Sequence, residues 1–189
     1  MNAPEHSHRL QLRQATETIH QALHRASPFA AIADGRATRA DYARTLQMLY
    51  RYHAAMAPLV ARGALALNLP ALAEQHRARL AALITDLDFL GLAGPSVTAS
   101  HEMAEGDFAI GALYTVHGST LGGKLIFRQL DTLLPDAAGR HFFQGAPDDK
   151  HHWQTLCTAL DSHHGDIARM SEGALYAFEQ FDILLRDIY

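Results

Sequence analysis

A chain of 189 residues, 48% of them apolar, is long enough to bury one substantial core and short enough to need only one domain, residues 1–189. A net charge of -4, with 16 Lys and Arg against 20 Asp and Glu and no basic run, argues against a nucleic-acid binder. Cys157 stands alone, which excludes a disulfide framework and a cysteine-built metal site, and no run approaches the ~20 apolar residues of a membrane span, so a soluble, cytoplasmic protein is expected.

Hydrophobic periodicity predicts a first helix from about His8 to Arg25, striped by Leu10, Ala15, Ile19, Ala22 and Leu23 and ending before Pro28. A second begins near Thr38, which makes a capping pair with Asp41, and carries Tyr42, Leu46, Leu49, Tyr50 and His53. Pro58 falls inside the continuing pattern and predicts a kink, with helix resuming toward Leu67. Pro70 suits the first turn of a third helix through Leu90, closed by Gly91. Gly94 to about Glu105 has turn chemistry and no period, and reads as a crossing loop.

Gly111 to Leu134, GALYTVHGSTLGGKLIFRQLDTLL, is helical in pattern, is stopped by Pro135, and carries glycines in its middle. Gly118, Gly122 and Gly123 each cost a helix interior about 1 kcal/mol relative to alanine. The usual return for that cost is close approach, of a second helix or of a flat ligand, and Gly118 and Gly122 share a face with Ser119 beside them. A single helix, kinked or loosened at its glycines, is expected. Beyond it, Asp136 to Asp149 is broken by Gly139, Gly145 and Pro147, with one short turn at Arg140 to Phe143. Helices follow from Asp149 through Leu160, with Trp153, Leu156 and Leu160 at core spacing, and from Asp166 to Ile188, with Ile167, Met170, Ala174, Phe178, Phe181, Ile183 and Leu184. No segment has the period of a strand, so the expectation is an all-α bundle of seven or eight helices, a class whose ligand sites lie between facing helices.

In the first helix, LRQATETIHQALH places Arg13, Thr16 and His20 on one face, with Arg13 two turns, about 10 Å, from His20. A heme asks for such a pairing, an axial imidazole for iron and a cation for its propionates. His24, four residues after His20, shares nearly the same face; spacing alone does not choose between them, and the pair also suits a divalent-metal clamp. A helix bare of side chains on the other side would cover the heme and leave room for dioxygen, where a second side-chain ligand would serve storage or electron transfer better.

LRQAT with His20, the tyrosine-bearing MLYRYH and then LYTVHGSTLGG resemble the bacterial heme oxygenases, including those associated with bacteriophytochromes. The resemblance implies a ligand sandwiched between the first helix and a glycine-kinked distal helix. It implies His20 as the proximal iron ligand, Arg13 as a propionate partner, Tyr114 as another, and Gly118, Ser119, Gly122 and Gly123 as the distal catalytic segment. The implied reaction takes heme as substrate and cofactor and opens it with O2 to biliverdin, CO and Fe2+. Its electrons come from an external donor, ferredoxin or another reductase, and a biliverdin-accepting photoreceptor is a candidate partner.

Two positions depart from the family. His117 stands where bacterial relatives often have Glu, although about 100° of helix turn separates it from Gly118 and directs it away from the heme. Ser119 stands where the animal enzymes have a distal Asp. Lys124 with Arg128, and Lys150 with His151 and His152, are further cations, expected on a solvated face. The alternatives are a non-enzymatic heme-binding or trafficking protein, which a ligating His117 would favour, and the thiaminase-like and di-iron relatives of the fold. The latter need a catalytic cysteine or paired Glu-x-x-His motifs, for which this chain offers no convincing set.

Overall fold

The computed structural model describes residues 7–26, 28–97, 105–135 and 138–187, leaving aside the side chains of residues 24–26, 33 and 121. Helix α1 (His8–Ala26) fills its predicted span, but turns a different face inward. Leu12, Thr16 and Leu23 are buried with Ile19 half-buried, whereas Ala15 and Ala22 are exposed. The helix orients by its bulky side chains, because alanine has little area to remove from water. A short α2 (Pro28–Ala33), lying between the first two predicted helices, follows with proline in its first turn.

Helix α3 (Arg39–Ala66) starts at the capping box formed by Thr38 and Asp41. Pro58, expected to mark a kink, lies inside a helix that continues unbroken to Ala66, with Met56, Leu59 and Val60 locked in the core around it. Tertiary packing supplies most of a helix's stability and here outweighs one missing N–H. Helix α4 (Pro70–Phe89) begins on its proline and closes at Leu90, and Gly91 then takes φ +72°, the left-handed conformation that glycine adopts without strain. The expected loop is irregular through residue 97; its part at 98–104 lies outside the described residues.

The glycine segment runs as α5 (Gly106–Gly118), a 3-10 turn over Ser119–Gly122 and α6 (Gly123–Gln129), helical dihedrals throughout, with the α ladder altered at the glycines. The tightening has a local cause. The Ser119 hydroxyl donates to the Val116 carbonyl at 2.7 Å and the Thr120 hydroxyl to that of His117 at 2.8 Å, competing with the helical ladder. After α6 the chain turns earlier than Leu134. Helix α7 (His141–Gln144), α8 (Asp149–Ser162) and α9 (Ile167–Arg186) complete nine α-helices among the described residues, with no strand. In α9 Met170 and Ala174 are buried as predicted, whereas Ile183 is half exposed, and Ile188 lies outside the described residues.

α5 is the centre of the bundle, packed mainly between α3 and α9. Glycine allows the approach: a Cβ on Gly111 would stand 1.8 Å from the Met170 carbonyl oxygen, and one on Gly173 1.9 Å from that of Phe108. The Thr115 hydroxyl then donates to the Ala174 carbonyl across the contact at 3.0 Å.

Candidate functional site

Two surfaces carry the residues singled out from sequence. On α1, His20 is exposed, with its ring 5.9 Å from that of Phe178 on α9 in an edge-on contact. Arg13 is 74% exposed and lies 4.0 Å from Glu17, a loose pair that leaves its guanidinium able to take another anion. Thr16 is buried between them, and its hydroxyl donates back to the Leu12 carbonyl at 2.8 Å. The side chain of His24 lies outside the described residues.

On the glycine segment, Ser119 and Gly122 are exposed and Gly118 and Gly123 half-buried. A Cβ added at Gly122 would meet no atom within 4 Å, so this glycine accommodates no neighbouring helix. One added at Gly118 would touch the Trp153 ring at 3.4 Å, an ordinary contact. Helix α6 buries none of its residues despite Leu125, Ile126 and Phe127, and Leu125 is 62% exposed. Ile126 and Phe127 are half-buried against the core, so the exposed apolar side chain is Leu125, beside the bare Gly122, an arrangement that leaves room for a flat hydrophobic ligand.

α1 packs on α9, α8 and α2, and not extensively on the glycine segment. The side wall between them is α8 with Tyr114. Trp153 lies against Gly118 and tilts over Tyr114 with ring centroids 5.5 Å apart. Burial raises the Tyr114 phenol pKa, Cys157 raises it further, and the charges of Arg13 and Arg9 oppose the shift. Tyr114 therefore shares one electrostatic neighbourhood with the Arg13 end of α1. Lys124, Arg128, Lys150 and His151 are exposed, and His152 is half-buried.

His117 points elsewhere. It is 2% exposed and belongs to a polar cluster behind the glycine segment, with His53 of α3, His76 and Arg79 of α4 and Asp149 and His152 of α8 as neighbours. The Nδ1 of His53 and the Nε2 of His76 are 3.2 Å apart, so one donates and the other accepts. The Arg79 guanidinium lies over the Phe142 ring at 4.3 Å, and Gln75 donates to Asp149 at 2.5 Å. Burial drives the three histidines toward neutrality, aided by one another and by Arg79: His117 to about 4, His76 to about 3, and His53 well below its ordinary value. Gln75 Oε1, Arg79 Nε, His117 Nε2 and His152 Nδ1 are buried with no protein hydrogen-bond partner. Sequence reasoning missed this cluster. Its signal was there: Leu72, His76, Arg79, Leu83 and Leu87 follow core spacing, with two polar residues on the stripe.

The family model for heme oxygenase matches residues 7–187. The chain belongs to the heme oxygenase family. A heme oxygenase of Xanthomonas campestris pv. campestris (strain 8004) is 33% identical over 118 residues, 59% of this chain and 69% of that protein. The NO- and CO-bound heme oxygenase of Neisseria meningitidis matches in fold with a TM-score of 0.76 at 23% identity, covering 97% of this chain and 92% of that one. Heme oxygenase-1 of Synechocystis sp. PCC6803, solved in complex with heme, matches with a TM-score of 0.74 at 19% identity, covering 96% and 91%. A CADD-like protein of unknown function from Nostoc punctiforme shares the fold at a TM-score of 0.57 and 15% identity, covering 95% of this chain and 99% of that one.

As a family member the chain is a heme-degrading oxidoreductase with an all-α heme oxygenase fold. Among the described residues no three His, Cys, Asp or Glu side chains converge as a metal site of their own, and no helix is long and apolar enough to cross a membrane. Two pockets of about 200 Å³, one at Ile32, Gln129 and Leu133 and one at Tyr52 and Leu184, are lined by none of the site residues singled out from sequence.

Proposed function

We propose that this heme oxygenase binds heme between α1 and the glycine segment and opens it, with O2 and electrons from an external donor, to biliverdin, CO and Fe2+. The observation that carries the placement is Gly122, a helix-breaking residue whose Cβ position faces open space. Bound there, heme supplies the iron that activates O2 and the macrocycle that is cleaved.

The chain's own residues hold and orient it. His20, exposed on α1, offers a neutral imidazole to iron, and Arg13, two turns away and loosely paired, takes a propionate. Thr16 packs between them, and Tyr114 orients the same edge with its phenol. On the other side Gly118, Ser119, Gly122 and Gly123 bring backbone close, and backbone groups at the 3-10 turn offer hydrogen bonds that no side chain obstructs. Behind them lies the buried histidine cluster, whose unpartnered nitrogens and oxygen are polar groups suited to binding water, with His53 and His76 in direct hydrogen-bond contact. His117 serves in that cluster, not as an iron ligand.

Ferredoxin or another reductase is the proposed electron donor, the cytoplasm the proposed compartment, and a biliverdin-accepting photoreceptor a proposed consumer of the product. The test is to add hemin to the purified protein and supply ascorbate or a ferredoxin system under air. A one-to-one complex whose Soret band decays as a biliverdin band grows is the expected result. A stable low-spin bis-histidine complex that resists turnover would overturn the enzymatic reading for a heme-binding one, and no complex at all would remove the site.

A further inference from the structure

Helix α6 covers part of the proposed site, and its own apolar contacts hold it only in part, with Ile126 and Phe127 half-buried against the core around Tyr42 and Phe143. Its seven residues, Gly123–Gln129, are too few for a stable isolated helix, and none is buried. Besides those contacts and α2, residues 139–143 supply the polar part of the grip.

Arg140, with its side chain 5% exposed, reaches across to the C-terminal end of α6. Its Nη1 donates to the Phe127 carbonyl at 3.1 Å and pairs with Asp131, and the guanidinium lies 4.5 Å from the Phe127 ring centroid. A cation at a helix C-terminus satisfies carbonyls that have no partner within the helix. At the other end of α6, a Cβ on Gly123 would stand 3.2 Å from the Phe143 carbonyl oxygen, so α7 backbone lies directly against α6 backbone.

Arg140 is itself anchored on both sides. The Tyr42 hydroxyl of α3 donates to the Gly139 carbonyl at 2.7 Å. Asp86 of α4, fully buried, accepts from the His141 and Phe142 backbone N–H groups at 2.8 and 2.9 Å and from His141 Nδ1 at 2.7 Å. This carboxylate caps α7 from a distance, since α7 has no side-chain cap of its own.

We infer that Arg140 is a positioning residue for the heme-oxygenase reaction: through α6 it sets how the glycine segment lies on heme, and so the ratio of ring-opened isomers. The inference rests on the heme placement proposed above; the grip on α6 does not.

The test therefore has one arm without heme. Lys124 and Arg128 are exposed on α6, so limited trypsin digestion of the heme-free protein reads how firmly α6 is held. Arg140→Gln is expected to speed cleavage after Lys124 and Arg128 about tenfold, the cost of losing a hydrogen-bonded charged group, while cleavage after exposed Arg77 on α4 keeps its rate. Asp131→Asn, at a side chain 66% exposed, should act in the same direction with less risk to folding, and decides the matter if Arg140→Gln does not fold. In the heme-loaded protein the same variants should shift the biliverdin isomer ratio and the ferric absorption spectrum. Wild-type cleavage rates in both variants would overturn the grip. Faster cleavage with unchanged isomers and spectrum would leave Arg140 structural only and overturn the positioning role. A wild-type protein that binds no heme would instead remove the placement while the tryptic arm still reads the grip.

Discussion

A methyl group added at Gly111 would stand 1.8 Å from the Met170 carbonyl oxygen, whereas one added at Gly122 would meet no atom within 4 Å. Both glycines belong to one helical run of the sequence. In the first half, glycine exists for the bundle: α5 and α9 approach until backbone touches backbone, and residues 109–113 are all buried. In the second half the helix tightens into a 3-10 turn, α6 buries no residue fully, and Gly122 leaves a surface bare. Absence of a side chain is the same in both places; what stands opposite decides whether it serves packing or a ligand.

The largest expected effect tests the closed half. Gly111→Ala should cost at least about 3 kcal/mol, because the Met170 carbonyl is backbone and has no room to yield. Gly122→Ala should leave stability unchanged or raise it by up to about 1 kcal/mol. Urea denaturation of the pair reads both, and equal stabilities would break the comparison. Next in size, His20→Ala should lower turnover by at least the ~100-fold that loss of even an outer-shell partner costs a metal site, with partial recovery on adding imidazole. Its melting temperature should hold, since the ring is exposed. Full turnover with an unchanged heme spectrum would exclude His20 as the ligand.

The buried histidines give a pH signature. Above about pH 6.5 they are neutral in folded and unfolded chains alike and impose no cost. As the pH falls, the unfolded chain takes up protons that the folded chain refuses until about 4 at His117 and about 3 at His76. Stability should therefore drop with acidity by up to about 1.4 kcal/mol per pH unit for each such histidine. Urea midpoints between pH 7 and pH 5 measure the slope, and His117→Gln should remove about one proton from it. A slope unaffected by that change would mean that His117 is already charged.

Gly122→Leu tests the open half: heme affinity and product formation should fall about tenfold or more, with stability within about 1 kcal/mol of wild type. Unimpaired product formation would remove Gly122 from the site. The smallest effect expected is for Tyr114→Phe, a loss of about 1 kcal/mol in heme binding from one hydrogen bond, read by titration of the hemin complex.

Much of the element order was legible because helix ends are written locally. Thr38 with Asp41, Pro70 and Gly91 each act within four residues of where they stand. The relation of Arg13 to His20 and the glycines of GSTLGG were equally readable. The inward face of α1 was not, because Ala15 and Ala22 fit an apolar stripe as well as Leu12 does until a partner helix selects the bulkier side chains. The irregularity at the glycines was expected, but not its 3-10 form, where the Ser119 and Thr120 hydroxyls decide between an α and a 3-10 ladder by a margin that propensity does not resolve.

By itself the sequence determined an all-α chain, the boundaries of most of its long helices to within a few residues, and two helices carrying the motifs of one family, since all of these depend on neighbours along the chain. Only the tertiary structure decided which glycine is packed and which is bare, that His117 joins His53 and His76 in the interior, and that Asp86 caps a helix 55 residues away. Those facts depend on which surfaces meet. Burial and hydrogen bonding between distant residues set them, and no local pattern records that choice.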